Sequence, residues 1–319
     1  MLIENPKTYT GTDAENIFFR PLFSGQSAKD LGIRVLYNMP MPTTVQVWSQ
    51  QNNVLQAFEC GWNGGTSAIK QQKTIDMHKV KAESSFAAED YFSLIFEKIV
   101  TDGSVNMGDL TGTELEKAET ELFRQAIAEG VRSTMWIGDV EGELSDLTTF
   151  NGFLRNVVDM IDTIPYSRFN VGETLPSASD IFKDCWNNAS EELKSLRTNG
   201  ELAYFVSSDL YNSFIDELGN NSNDISVFNT SNVYENLNFR GIPIVEVPLK
   251  GYDINFCSTF CLLTDRRNLV LALNTSDMPE NEVRMWYNAD EMQNRQRAVF
   301  LAGADVIDNK LVSFCYTTY

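Results

Sequence analysis

Between Thr113 and Met135 apolar side chains return at the spacing of an α-helix. Leu115, Ala118, Leu122, Ala126 and Val131 form one line, with Phe123 and Ile127 beside them. Glu114, Glu116, Glu119, Glu121, Arg124 and Arg132 take the other face, the acids crowding the first half where the helix dipole favours them. Thr113 and Glu116 make a capping box. The pattern predicts a helix about 34 Å long, with Leu115, Leu122 and Ala126 turned to the core. Gly130 inside it costs about 1 kcal/mol against alanine, which suggests close packing at that point. Taken alone, such a segment is an ordinary amphipathic core helix.

Two stretches before the helix read as strands, Thr44–Glu59 and Ser67–Ala82, joined by the turn-forming run CGWNGGT at 60–66. In the second stretch Ile75, Met77, Lys79 and Lys81 share one face; Thr74, Asp76, His78 and Val80 share the other. The result is a long hairpin with polar residues on both faces. An isolated two-stranded ribbon is marginal, so it needs a partner, on another molecule or as an edge hairpin within one domain. Residues 1–30 carry Phe18, Phe19, Pro21, Leu22 and Phe23 without a clean period. They fit an extended arm that buries its rings elsewhere, or a local plug.

The remaining pattern is mixed. Ser84–Val100 predicts a helix. Ser177–Leu273 reads as a compact α/β unit. Its expected elements are a helix over Ser179–Leu196, a buried strand Leu202–Ser207, a helix Asp209–Leu218 ending at Gly219, and strands over Gly241–Pro248 and Thr259–Thr264. Glu282–Asn288, Gln296–Val306 and Lys310–Tyr316 are strand-like, rich in β-branched and aromatic residues. No internal repeat is evident.

Charge changes the picture. The chain has 319 residues and a net charge of −19. So acidic a protein is poorly suited to sequence-specific DNA binding, and suited to lying next to nucleic acid without gripping it. Five scattered cysteines fit reduced thiols. Cys257 and Cys261 lack zinc-knuckle spacing, and His78 is the only histidine, so no metal site is expected. Asp139, Glu141, Glu143 and Asp146 lack the calcium-loop spacing and read as a solvated loop. There is no P-loop, no G-x-G-x-x-G and no G-x-S-x-G elbow. No carboxylate pair stands out. Catalytic residues and cofactors are therefore expected to be none. No apolar run reaches membrane-spanning length and the N-terminus lacks a signal-peptide pattern, which leads to an expectation of cytoplasmic synthesis.

The order of elements resembles the major capsid proteins of tailed bacteriophages with the Hong Kong 97-like fold. ETELFRQAIAEGVRSTMWIGD is similar to that family's spine helix with its closing Gly138-Asp139, and FNGFLRNV to the segment that follows. ELAYFVSSDLYNSFIDEL resembles the axial-domain strand and helix. NLNFRGIPIVEVP and CLLTDRRNLVLAL resemble that domain's late strands, and NRQRAVFLAGADVIDNKLVSFCY the closing strands of the peripheral domain. KVKAESSFAAEDYF looks like the lead into the helix.

The resemblance covers nearly the whole chain. It implies an α+β fold with an N-terminal arm (1–35), an extended β-hairpin loop (36–85), a peripheral domain with the spine helix (86–153), an axial domain (154–273) and closing peripheral strands (274–319). It implies a non-enzymatic subunit that self-assembles into pentamers and hexamers of an icosahedral phage head around double-stranded DNA. Expected partners are a scaffolding protein, portal and head-tail proteins, with no membrane. Such a subunit is assembled in the host cytoplasm and resides in the virion. Phe18, Phe19 and Phe23 of the arm, with Trp48, Trp62, Lys70 and Lys73 of the loop, become inter-subunit candidates. Two departures stand: many relatives carry a scaffolding segment before the arm while this sequence starts at an arm-like region, which implies either a separate scaffold or a removed leader, and Lys70 and Lys73 match no lysine–asparagine crosslink motif. An encapsulin-like nanocompartment shares the fold, and a soluble carbohydrate-active enzyme is the alternative of a different class.

Overall fold

A computed structural model describes residues 7–10, 28, 31–39, 43–49, 60, 69–87, 114–142, 147–170, 176–199, 201–221, 237–249, 259–274, 282–288, 290–291 and 293–318. Its architecture is α+β, with two six-stranded sheets and a separate two-stranded ribbon.

The first sheet is built on one long strand, β13 (Gln293–Val306). β5 (His78–Ala87) runs antiparallel along one edge, from Gln293↔Ala87 to Ala302↔His78. The other edge is shared by β12 (Glu282–Asn288) on residues 293–298 and β11 (Leu269–Asn274) on residues 301–306. β1 (Lys7–Thr10) adds to β12, and β2 (Arg34–Tyr37) adds in parallel to β11. Burial along β13 explains its length. Asn294, Gln296, Ala298 and Phe300 are buried while Arg295, Arg297 and Val299 are half-buried, so its outer half is covered on one face. From Phe300 to Ala304 every residue is buried, because both faces are covered there.

The cover on one face is α1 (Glu114–Ile137). Its length agrees with the sequence pattern; its facing does not. Phe123, Ile127, Val131 and Met135, at successive i+4 steps, lie in one core with Val80, Ala298 and Phe300. Leu122 is 54% exposed and Ala126 is also exposed, so both leave the expected core face. The two stripes are neighbours on the helix, and the bulkier one packs on the sheet, where it removes more apolar area from water. The Leu115 side chain lies outside the described residues. Gly130 is also exposed, and a Cβ there would meet nothing within 4 Å; the close approach sits instead at Gly138, whose Cβ would fall 2.2 Å from the Phe150 carbonyl.

The second sheet has the order β6–β14–β10–β7–β9–β8, from Tyr166–Asn170 (β6), Val312–Thr318 (β14), Phe260–Asp265 (β10), Leu202–Ser207 (β7), Ile242–Val247 (β9) and Asn238–Phe239 (β8). Every residue of β7 and β10 is buried, which is why LAYFVS reads as an unbroken apolar run. The other α-helices among the described residues are α2 (Phe153–Asp159), α3 (Ala178–Asn188), α4 (Glu191–Ser195) and α5 (Ser208–Asn221). Ile181, Phe182, Cys185, Leu210 and Phe214 from α3 and α5 pack on one face. The other face, with Phe205, Leu262 and Phe314, joins the core of the first sheet. Trp136 at the end of α1 is the pivot, with its ring 5.4 Å from Phe153 and 5.3 Å from Phe205.

Three further expectations change here. The helix expected over Ser179–Leu196 breaks at Ala189 and restarts at Ser190, whose hydroxyl accepts from the Leu193 N–H and caps α4. α5 runs through Gly219 to Asn221. Ser84–Ala87, expected to open a helix, are strand, because pairing with β13 overrides a local start signal; residues 88–100 lie outside the described residues.

Candidate functional site

The stretch expected as one strand, Ser67–Ala82, is two. β4 (Ile69–Ile75) pairs with β3 (Thr43–Ser49), and β5 then joins the large sheet. The change of partner falls at Asp76–Met77. Gly303 lies against it: a Cβ there would sit 2.3 Å from the Asp76 carbonyl oxygen, so only glycine allows this approach.

β3 and β4 form the expected hairpin, in register from Thr43↔Ile75 to Ser49↔Ile69. Its root is anchored. Val45, Ile75 and Met77 pack on Val270, Ala272 and Leu301, on the sheet face opposite α1. The Thr43 hydroxyl donates to Met77 Sδ at 3.3 Å. Lys73 Nζ donates to the Val306 carbonyl at 2.6 Å and pairs with Asp305 Oδ1 at 2.9 Å. Burial pushes the Asp305 carboxyl above its ordinary range, against the downward pull of Lys73. Elsewhere on the ribbon Thr44, Gln46, Gln72 and Thr74 are exposed. No other described strand pairs with it.

The predicted site residues therefore divide. Trp48 and Lys70 are cross-strand partners on the ribbon, with side chains outside the described residues. Within the chain Lys73 is turned back onto its own sheet, where a lysine stem from β4 reaches the mostly buried Asp305 carboxylate. Phe18, Phe19, Phe23 and Trp62 lie outside the described residues. Asp305 and Val306, which complete the root, carried no sequence signal, since their partner is 233 residues away for Val306. In the acidic loop Asp139 is paired with Arg155 at 3.3 Å, and Arg155 also reaches Asp159 at 3.1 Å; Glu143 and Asp146 lie outside the described residues.

The reactive groups elsewhere are quiet. Cys185, Cys261 and Cys315 are free thiols gathered in the second core, all buried. Burial is the main cause that raises Cys185 and Cys261, and the hydrogen bond with Cys185 the main one that raises Cys315. Thiols so placed are poor nucleophiles. An open groove of about 430 Å³ lies between α1 and β5, lined by Val80, Phe123, Ile127, Gly130 and Phe300. Its charged lining residues, Lys81 and Glu83, are paired with each other at 2.8 Å. Among the described residues no group of three or more His, Cys, Asp or Glu is arranged to hold a metal ion, and no helix is long and apolar enough to cross a membrane.

No protein-family model matches the chain, and no curated protein matches it in sequence. Solved structures do match in fold. A chain of the satellite phage P4 procapsid that includes the size determination (Sid) protein aligns with a TM-score of 0.60 at 9% identity, over 99% of this chain and 94% of that one. A chain of the capsid of Myoviridae phage XM1 aligns at 0.51 and 13% identity, over 92% of each. A chain of the native GTA particle capsid gives 0.51 and 15%, again over 92% of each. The chain has the α+β fold found in phage capsids.

Proposed function

We propose that this protein is a structural subunit of a phage head, self-assembling into a closed shell. The observation that carries this is the fold match to the P4 procapsid chain, which runs over nearly the full length of both chains. A shell subunit needs surfaces that are incomplete alone, and the ribbon of β3 and β4 is one: anchored on one face at its root, exposed on the other at Thr44, Gln46, Gln72 and Thr74, and unpaired by other described strands.

In the finer reading the fold is Hong Kong 97-like. The arm is 1–35 and the extended loop 36–85. The peripheral domain is 86–153 with 274–319, and the axial domain is 154–273. Division of the described strands into two sheets bridged by the end of α1 supports that scheme. Subunits form pentamers and hexamers of an icosahedral shell around double-stranded DNA, with a scaffolding protein, portal and head-tail proteins as partners. Assembly takes place in the host cytoplasm and the product is the virion head. Phe18, Phe19, Phe23, Trp48, Trp62, Lys70 and Lys73 are the proposed inter-subunit residues of arm and loop. The protein's work is assembly, without catalysis or a cofactor. A net charge of −19 suits a shell that holds DNA without binding it.

Electron microscopy and light scattering of the purified protein test this. Capsomers or closed particles are expected, with DNA as the packaged content in infected cells. A monomer at every concentration, salt and pH overturns it; particles filled with an enzyme instead make it a nanocompartment.

A further inference from the structure

The sheet face opposite α1 has two halves. The hairpin root covers the inner half, through Val45, Ile75 and Met77. The outer half carries cations. Cross-strand pairing puts Lys79 and Lys81 of β5, Arg295 and Arg297 of β13 and Arg284 of β12 on this one face, with Trp286 among them. Lys79, Lys81 and Arg284 are exposed; Arg295, Arg297 and Trp286 are half-buried. Glu83 of β5 and Glu282 of β12 share this face with the five cations, Asp305 lies at the inner end of β13 against Lys73, and Asp290 and Glu291 follow in the β12–β13 turn. This local excess of cations sits on a chain with 25 basic and 44 acidic residues.

The arginines are pre-ordered. Arg284 and Arg297 place their guanidinium carbons 5.7 and 5.9 Å from the Trp286 ring centroid. For Arg284, which is exposed, stacking on indole holds the guanidinium plane and leaves its N–H edge for a planar acceptor, the geometry that takes a carboxylate in two parallel hydrogen bonds. Arg284 has no carboxylate partner among the described residues. Glu83 pairs with Lys81 and Glu291 with Arg295, so acids are interleaved with the bases. A surface that tracks phosphates gains nothing from such acids; an interface that selects a protein partner by charge uses both signs.

We propose that this outer face, centred on Arg284, Trp286 and Arg297, is a docking surface for carboxylates of a second copy of the chain. The inference rests on the shell reading, and it names a contact separate from the hairpin. In a homo-assembly the abundant complement to a basic patch is the chain's own acidic surface, and symmetry repeats the contact at every equivalent position.

The test uses the full-length protein as a mixture of nitrogen-15-labelled and unlabelled subunits. Zero-length carbodiimide coupling joins a lysine amine to a touching carboxylate, with loss of water, and mass spectrometry separates links between subunits from links within one. Wild-type particles are expected to give inter-subunit links from Lys79 or Lys81 to aspartate or glutamate. Arg284→Gln with Arg297→Gln should keep its circular dichroism, lose those links and slow assembly by at least about tenfold, more so at low salt. Wild-type shells without such links, and a double variant that assembles at the wild-type rate, overturn the proposal. A double variant that assembles normally but loses retention of a double-stranded DNA oligonucleotide overturns it in favour of a DNA contact. Wild-type protein that forms no particles defeats the shell reading; links mapped on the dimers or capsomers present then decide the patch, and links within single chains alone overturn it too.

Discussion

Lys73 Nζ lies 2.9 Å from Asp305 Oδ1, and this pair ties the hairpin to the last residues of the longest strand. Their side chains are 28% and 14% exposed, so solvent screens the pair only in part. The same ammonium also holds the Val306 carbonyl. The hairpin thus leaves the sheet from a fixed point.

Removing the lysine leaves a mostly buried carboxylate without its cation. Lys73→Met should cost about 3 kcal/mol at pH 8. Asp305→Asn, and the double variant, should cost less. The pH dependence has a definite sign. The native Asp305 carboxyl titrates above its unfolded value, so its protonation favours the folded state, and this contribution is lost as pH rises through the raised native value. The deficit of Lys73→Met should therefore shrink in acid. Urea unfolding between pH 8 and pH 4 reads this, and a deficit that does not change with pH refutes it.

The facing of α1 is tested by two aspartates. Ile127 is 5% exposed and Leu122 is 54% exposed. Ile127→Asp should destabilise the unassembled subunit by about 4 kcal/mol or leave it insoluble. Leu122→Asp should stay within about 0.5 kcal/mol of the parent. Denaturant midpoints of the two variants decide, and equal losses would mean that the helix is turned differently.

Removing the hairpin tip separates folding from assembly. Residues 50–68 are replaced by a short Gly-Ser linker, which keeps β3, β4 and Lys73. Each doubling of loop length changes closure by only about 0.6 kcal/mol, so circular dichroism and the unfolding midpoint should match the parent. Particle formation should be lost in electron micrographs. Normal particles from this variant would remove the hairpin from the assembly interface.

Thiol chemistry should report the second core. In a Cys257→Ser background, Cys60 is exposed while Cys185, Cys261 and Cys315 are buried with raised pKa values. A disulfide reagent should titrate one thiol in the native protein and the other three only after denaturation, from pH 7 to pH 9. Fast modification of a second thiol in native protein would contradict the packing of α3 on β10 and β14.

Much of the architecture was legible where a local signal is unambiguous. The strands at Leu202–Ser207 and Glu282–Asn288 fall where the sequence puts them, since an unbroken apolar run and a β-branched, aromatic run each suit a strand. α1 is found within two residues at each end of Thr113–Met135, because its cap and its period act within the helix.

Tertiary structure decided what involves distant partners. Leu122 and Phe123 belong to adjacent stripes that periodicity rates alike; only the sheet shows which one it buries. Ser84–Ala87 became strand because β13 offers a ladder there. Lys73 looked like a loop cation until Asp305 and Val306 came within reach. The rows of Lys79, Lys81, Arg284, Arg295 and Arg297 became one surface only when β5, from far earlier in the chain, was laid beside the hairpin of β12 and β13. Sequence specifies how each segment buries its own face, because that depends on a period within the segment; it does not specify what lies opposite, because hydrogen-bond registers and ion pairs between segments are set only when the whole chain closes.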